Sequence, residues 1–276
     1  MPGTVKIALQ SPIPAALKTT FSIRLKKELI KESGVYHPRA RILLLNGSSG
    51  SFGDMMGTML RCGIVDESFN WIFGDGHVIV TGNCLDGSPE SVALLWLIYA
   101  MESKAVKRGG YLHFLPGPSE LANSQGAWRS LQPDYAARNS RSTHKYAILF
   151  DGNNELYRWL LTKNILEQIG DMAILQCNLP QESRDFLPKF PGKRFPEGVL
   201  NILQLPLTRI SDSDLAFIHR TLQVPILVIA EANTGKVIIS EQNKSARHYC
   251  ESPILIKDDK GHLLMENGQL GIATLI

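Results

Sequence analysis

Short apolar runs recur along the chain between Gly, Asn and Pro punctuation: Arg41–Leu45, Val78–Thr81, Tyr111–Leu115, Ala173–Gln176, Ile226–Ile229, Val237–Ser240 and Ile254–Ile256. Runs of that length bounded by turn residues predict buried strands. Segments of helical period lie between them. One runs from Pro89 to Lys107, with Ser88 as N-cap, Pro89 in the first turn and Glu90 just inside. Its apolar positions Val92, Leu95, Trp96, Ile98, Tyr99 and Met101 leave Glu102, Lys104, Lys107 and Arg108 for water, and Gly109-Gly110 stops it. Asn154–Ile169 and Asp212–Leu222 are predicted as two further helices. From Lys236 on the pattern is one of strands and turns, with a turn signal at Asp258-Asp259-Lys260-Gly261.

Strands alternating with helices predict a layered α/β fold. Residues 1–39 read as a basic N-terminal extension and residues 40–276 as a single domain. Two segments look irregular. Ala127–Lys145 sets Arg129, Arg138, Arg141 and Lys145 against the single acid Asp134. Gln181–Gly198 carries Pro188, Pro191 and Pro196 with Phe186, Phe190 and Phe195. Both read as surface loops, and aromatics held by prolines lose little entropy on docking to a partner.

Composition narrows the function classes. Hydrophobic residues make up 44% and charged residues 20%, as in globular proteins with a sizeable core. No apolar run approaches the roughly 18–20 residues that span a bilayer. A net charge of +3 is too mild to argue for direct nucleic-acid binding. Cys62, Cys84, Cys177 and Cys250 are scattered, which disfavours a zinc site or a disulfide framework. Residues 1–27 hold Lys6, Lys18, Arg24, Lys26 and Lys27 and no acid. That suits a mitochondrial targeting segment, and it suits an ordinary basic arm of a cytoplasmic protein equally well.

The candidate chemistry sits in two loops. Residues 77–90 read His-Val-Ile-Val-Thr-Gly-Asn-Cys-Leu-Asp-Gly-Ser-Pro-Glu, and 111–120 read Tyr-Leu-His-Phe-Leu-Pro-Gly-Pro-Ser-Glu. Each follows a predicted strand. Together they resemble the G-D-x-x-D-R-G and G-N-H-E signatures of calcineurin-like metallophosphatases. Ser91–Met101, Gly126–Arg129 and Leu156–Leu160 resemble helices and a connector of the bacterial-type, Shewanella-like branch, so the resemblance covers roughly residues 40–240. It implies a sandwich of two mixed β-sheets flanked by helices.

Two-metal phosphoesterases hold their cations about 3.5–4 Å apart with carboxylates, imidazoles and an Asn amide at strand ends. This chain departs from that set almost everywhere. Gly47 and Ser49 stand where the resemblance places the Asp and His of the first motif. Asn83 replaces the bridging carboxylate, although Asp86 is retained. Pro118 and Ser119 replace Asn and His, while Glu120 is retained. Gln176 and Glu231 replace His at two later strand ends. Ser, Gln and Pro do not replace anionic or imidazole ligands.

The resemblance therefore implies a degenerate pseudophosphatase: not an enzyme, with no metal, no catalytic residue and no cofactor. It would be kept as a structural subunit of a larger protein assembly, with nucleic acid met only indirectly. Residues 1–27, 127–145 and 181–198 are the contact candidates. A second expectation is a binding module, with a phosphate- or nucleotide-like ligand in a vacated pocket lined by Ser48, Ser49, Asn83, Ser119, Gln176 and Glu231. A third is a residual hydrolase with one metal on Asp86, Glu120 and Glu231. Gly47–Gly53, between a strand and a helix, reads first as a tight turn inherited from the fold; cradling phosphate through backbone N–H groups is the lesser alternative, since the loop lacks the Lys of a P-loop. His77 and His113 sit at strand positions and are expected in the core. Cys84 and Cys177 are expected as buried, inert thiols.

Overall fold

The computed structural model describes residues 3–8, 20–37, 41–48, 51–85, 90–124, 154–187, 196–231, 233–242, 247–251, 254–257, 265–266 and 269–270. Each predicted apolar run is a strand: β4 (Ile42–Asn46), β5 (His77–Thr81), β6 (Tyr111–Leu115), β8 (Met172–Gln176), β9 (Ile226–Glu231), β10 (Lys236–Glu241) and β12 (Ile254–Lys257). Seven more short strands complete the set: β1 (Thr4–Ala8), β2 (Thr20–Arg24), β3 (Val35–Tyr36), β7 (Leu166–Ile169), β11 (Arg247–Glu251), β13 (Met265–Glu266) and β14 (Gln269–Leu270). The helices are α1 (Phe52–Arg61), α2 (Ser91–Val106), α3 (Pro118–Ser124), α4 (Glu155–Leu160), α5 (Glu197–Leu203) and α6 (Asp212–Leu222).

Two mixed sheets form a sandwich. One has the order β12-β4-β5-β6, with β4, β5 and β6 parallel. The other has the order β11-β10-β9-β8-β7-β3, with β8 and β9 parallel. Alternation along each strand decides which layer a side chain enters. Ile42, Leu44 and Ile79 of the first sheet form one apolar cluster with Met172, Ile174, Val228 and Ile239 of the second. Their neighbours Leu43, Leu45, Val78 and Val80 belong instead to the cluster that holds Phe52, Met56, Leu94 and Leu97 from α1 and α2. Strands β4, β5, β8 and β9 are buried on both faces, which explains their continuous apolar runs.

Helix α6 matches its predicted bounds. Ser211 and Asp214 close a capping box there, the Ser211 hydroxyl accepting from Asp214 N at 3.2 Å and the Asp214 carboxylate accepting from Ser211 N at 2.8 Å. Helix α2 begins at Ser91, with Glu90 in the N-cap position making no side-chain cap bond; Ser88 and Pro89 lie outside the described residues. The helix predicted over Asn154–Ile169 is cut short. Helix α4 ends at Leu160, and Leu166–Ile169 is a strand paired antiparallel with Met172–Gln176 through Gly170, whose φ is +59°. Apolar spacing suited both forms there, and sheet pairing decided.

Two exposure expectations are also corrected. Glu102 is only 5% exposed, held by charged partners inside the molecule. Phe186 is in the core, whereas Phe190 and Phe195 lie outside the described residues. The loop 127–145 is outside them too. Residues before position 40 join the domain at several points: Ile23 is buried in the core, and Val35–Tyr36 pairs with β7 at a sheet edge. Among the described residues, no helix is long and apolar enough to cross a membrane.

Candidate functional site

The C-terminal ends of β4, β5, β6, β8 and β9 carry the candidate positions, and most of them meet. Asn83 follows β5 in the left-handed region (φ +74°), and its side-chain oxygen accepts from Ser119 N at 3.2 Å. Pro118, Ser119 and Glu120 form the first turn of α3. The Glu120 carboxylate is fully buried and accepts from Asn83 N at 2.6 Å, Gly117 N at 2.9 Å, Leu85 N at 3.0 Å and the Ser119 hydroxyl at 3.1 Å. It ties the loop after β5 to the loop after β6. Burial pushes its carboxyl above the usual range, and the backbone donors pull it partly back.

Glycine makes this join feasible. A Cβ on Gly82 would lie 2.5 Å from Glu120 Oε2 and closer still to Gly117 N. One on Gly117 would lie 2.5 Å from Asn83 N. The two loops thus touch backbone to backbone. Gly47 abuts the same cluster, donating its N–H to Thr81 O at 2.9 Å. A Cβ there would meet Cys84 Sγ at 2.6 Å and Thr81 O at 2.7 Å. Ser48 turns back on Asn46, accepting from its amide at 2.7 Å. Among the described residues, Gly47, Gly82 and Gly117 leave no room for a side chain where these loops meet.

The second sheet joins this end by two routes. The Gln176 amide, fully buried at the end of β8, donates to Leu115 O at the end of β6. Gly235, in the turn after β9, sits so close to Asn46 that a Cβ would lie 2.8 Å from its Nδ2. Glu231 stands apart from the Glu120 cluster. Its carboxylate accepts from Leu207 N at 3.2 Å and from the Thr234 hydroxyl at 2.9 Å. Ser49 and Asp86 lie outside the described residues.

A helix N-terminus also has a resident anion. The Glu90 carboxylate accepts from Gly53 N at 3.2 Å and from the Ser51 hydroxyl at 3.3 Å, at the start of α1. This is where the Gly47–Gly53 loop would have presented amides to a phosphate. Cys84 and Cys177 are both buried. Burial, helped by the charge of Glu231, pushes the Cys177 thiol up and away from the reactive thiolate.

The described residues do not fit the pair of cations that the sequence resemblance implies. Gly47 offers no donor and no room for one. The Asn83 oxygen and the Glu120 carboxylate are each committed to a neighbouring loop, and the Gln176 amide nitrogen is committed to β6 while its buried oxygen has no hydrogen-bond partner. Among the described residues, no group of three or more His, Cys, Asp or Glu side chains is placed to hold a metal ion.

Sequence reasoning missed the largest polar cluster, at the opposite end of the sheets. Lys163 is fully buried, with its ammonium on Glu102 at 2.5 Å and on Glu32. Glu102 also takes Lys26 and accepts from Trp159 Nε1 at 2.9 Å. Burial pushes the Glu102 carboxyl up, but Lys163 and Lys26 outweigh it and hold it below the usual range. Next to them, Glu167 Oε2 lies 2.5 Å from His113 Nδ1, and His113 Nε2 lies 2.7 Å from His77 Nδ1. The two histidines are cross-strand core residues, as expected from their strand positions. No distinctive sequence signal marked the cluster, since Lys163 sits between the polar Thr162 and Asn164.

No protein-family model matches the chain. Solved structures match nearly all of it. The structure of a cold-active protein-tyrosine phosphatase of a psychrophilic Shewanella superposes with a TM-score of 0.62 at 18% identity, over 89% of this chain and 96% of that one. A point mutant of a cold-active protein tyrosine phosphatase gives 0.60 at 18% identity, over 90% of this chain and 98% of that one. The fold is therefore a single-domain α/β fold shared with phosphatases.

An uncharacterized protein of Schizosaccharomyces pombe is 26% identical over 117 residues, 41% of this chain. The match spans about a third of that protein's length (35%). The names of the solved structures are those of protein-tyrosine phosphatases, and the calcineurin-like assignment is not among what they show. They correct the expectation that this chain is not an enzyme. That expectation rested on substituted ligand positions, whereas the fold over 89% of the chain is that of an enzyme.

Proposed function

We propose that the chain is a phosphatase-fold subunit of a larger protein assembly, with the strand ends that carry its motif loops serving to hold those loops together. The observation that supports this most is the Glu120 carboxylate, spent on three backbone N–H groups of two loops and on one hydroxyl. Gln176 likewise donates to a backbone carbonyl, and Glu231 accepts from a backbone N–H. The order of five strand-end motifs supports the calcineurin-like version of the fold. Residues 1–27, 127–145 and 181–198 remain the contact candidates, and the basic composition of the first of these supports mitochondrial residence.

The test is native mass. Tagged protein isolated gently from its source should migrate as a stable particle much larger than 30.6 kDa, with partners in fixed ratio. Deleting residues 1–27 should weaken that association or change the location. A monomer without companions would overturn the subunit reading.

A further inference from the structure

Residues 26–36 are joined to the domain by few backbone bonds. Glu32 N donates to Thr162 O at 3.0 Å, and at the sheet edge Gly34 O and Tyr36 O accept from Gln168 N at 2.8 Å and Gly170 N at 3.0 Å. Between this segment and α2 lies a cavity of about 750 Å³. That is within the range of about 300–1,000 Å³ usual for small-ligand sites. Much of its wall is apolar, with Leu29, Ile30, Val106 and Leu112 in the lining. Ile30 and Val106 are 67% and 60% exposed, so a ligand body seated there would take apolar surface out of water.

The polar part of the wall has one unmet need. The Lys163 ammonium is shared by Glu32 and Glu102, and Glu102 takes Lys26 besides, so Glu32 holds half of one counterion. Its second oxygen, Oε2, is buried with no hydrogen-bond partner. A donor would remove the desolvation cost of that orphaned acceptor. The Glu32 side chain as a whole is 23% exposed, which leaves a ligand access to it. Tyr36 and Tyr111 line the same cavity and meet edge to face, with ring centroids 5.5 Å apart at 62°. Aromatic rings beside a carboxylate attract an organic ammonium. Two lysines of the lining are already engaged, Lys26 by Glu102 and Lys31 by Lys163 O at 2.5 Å; the third, Lys107, is exposed.

We propose that this cavity binds an organic cation, whose primary ammonium donates to Glu32 Oε2 and rests against Tyr36 and Tyr111 while its apolar body packs on Leu29, Ile30 and Val106. The site stands apart from the strand-end loops and does not depend on the subunit reading.

Isothermal titration calorimetry of the full chain tests this with phenethylammonium, the neutral phenethyl alcohol and the anionic phenylacetate. Burial raises the Glu32 carboxyl to about 7 against the pull of Lys163, so the titrations are run at pH 8, where it is charged. Phenethylammonium should saturate one site with a Kd of about 1 mM or tighter. Phenethyl alcohol keeps a donor but no charge and should bind about tenfold more weakly, and phenylacetate more weakly still. Glu32→Gln should weaken phenethylammonium about tenfold and leave phenethyl alcohol within about twofold. Hydrogen exchange of the wild type locates the site without any variant. Phenethylammonium should slow exchange in residues 28–36 and in the last turn of α2 and leave β5 unchanged. Absence of saturable binding up to about 10 mM would overturn the proposal. So would equal affinity for the alcohol, tighter binding of phenylacetate, an unchanged Kd in Glu32→Gln, or protection confined to other segments.

Discussion

Glu120→Ala removes the acceptor of three buried backbone N–H groups, on Asn83, Gly117 and Leu85, and of the Ser119 hydroxyl. An orphaned buried donor costs about 1–3 kcal/mol. The three amides belong to two loops in backbone contact, so neither loop can move far to find water. Allowing partial relaxation, the loss is about 3–6 kcal/mol, a large fraction of the stability of a typical domain. At about 2–4 °C per kcal/mol for a chain of this size, the melting temperature should fall by about 6–24 °C. Glu120→Gln keeps one acceptor oxygen and turns an amide NH2 toward Leu85 N, so it should lose only about 1–3 kcal/mol. Urea unfolding by far-UV circular dichroism, with unchanged m-values, measures both. A Glu120→Ala protein within 1 kcal/mol of wild type, on the scale of a single ordinary hydrogen bond, would refute the reasoning that this carboxylate holds the loops.

Gly47→Asp, which restores the carboxylate the sequence resemblance implies, should destabilise by about 1–3 kcal/mol through overpacking against Cys84 Sγ and Thr81 O. Adding Cys84→Ala should return part of that loss in the same unfolding assay. Lys163→Met should destabilise by about 3–5 kcal/mol, because Glu102 and Glu32 lose their common counterion inside the protein. Stability against pH follows from three groups with shifted protonation, Glu32, Glu167 and His113. Glu32 and Glu167, raised to about 7, keep protons in the folded state that the unfolded chain releases, so their stabilisation is complete below about 4.5 and is lost as pH rises through 7. His113, lowered to about 4, works the other way and gains stability as pH rises toward 6.5. From pH 6 to pH 8 the wild type should therefore lose about 2 kcal/mol, and the Glu32→Gln/Glu167→Gln protein should gain slightly.

The layers were legible because these strands are buried on both faces, so their apolar runs stood out without alternation. Helix α6 was legible to the residue, since Ser211 and Asp214 mark its start and only local bonds are involved. Strand β7 was not, because Ile165–Ile169 carries helix-compatible spacing and its fate is set by pairing with β8, a tertiary effect. The candidate site was half legible. The motif order placed Asn83, Ser119 and Glu120 together, as they are, and put Gln176 at the neighbouring strand end. What those side chains do was hidden, because the close approach of Gly82 and Gly117 is a property of two loops folded against each other. Glu102 was misread for a related reason: on a helix wheel it belongs to the polar face, and only the path of residues 26–33 and of Lys163 across that face buries it.

The most direct test of a loop-holding role for the strand ends is hydrolysis of p-nitrophenyl phosphate by folded wild type and folded Glu120→Gln, each with and without added Mn²⁺. Any rate observed should be the same in the two proteins, because Glu120 faces backbone amides and not a substrate. A rate that falls tenfold or more in Glu120→Gln while the fold persists would make that carboxylate part of a reaction centre and contradict the account.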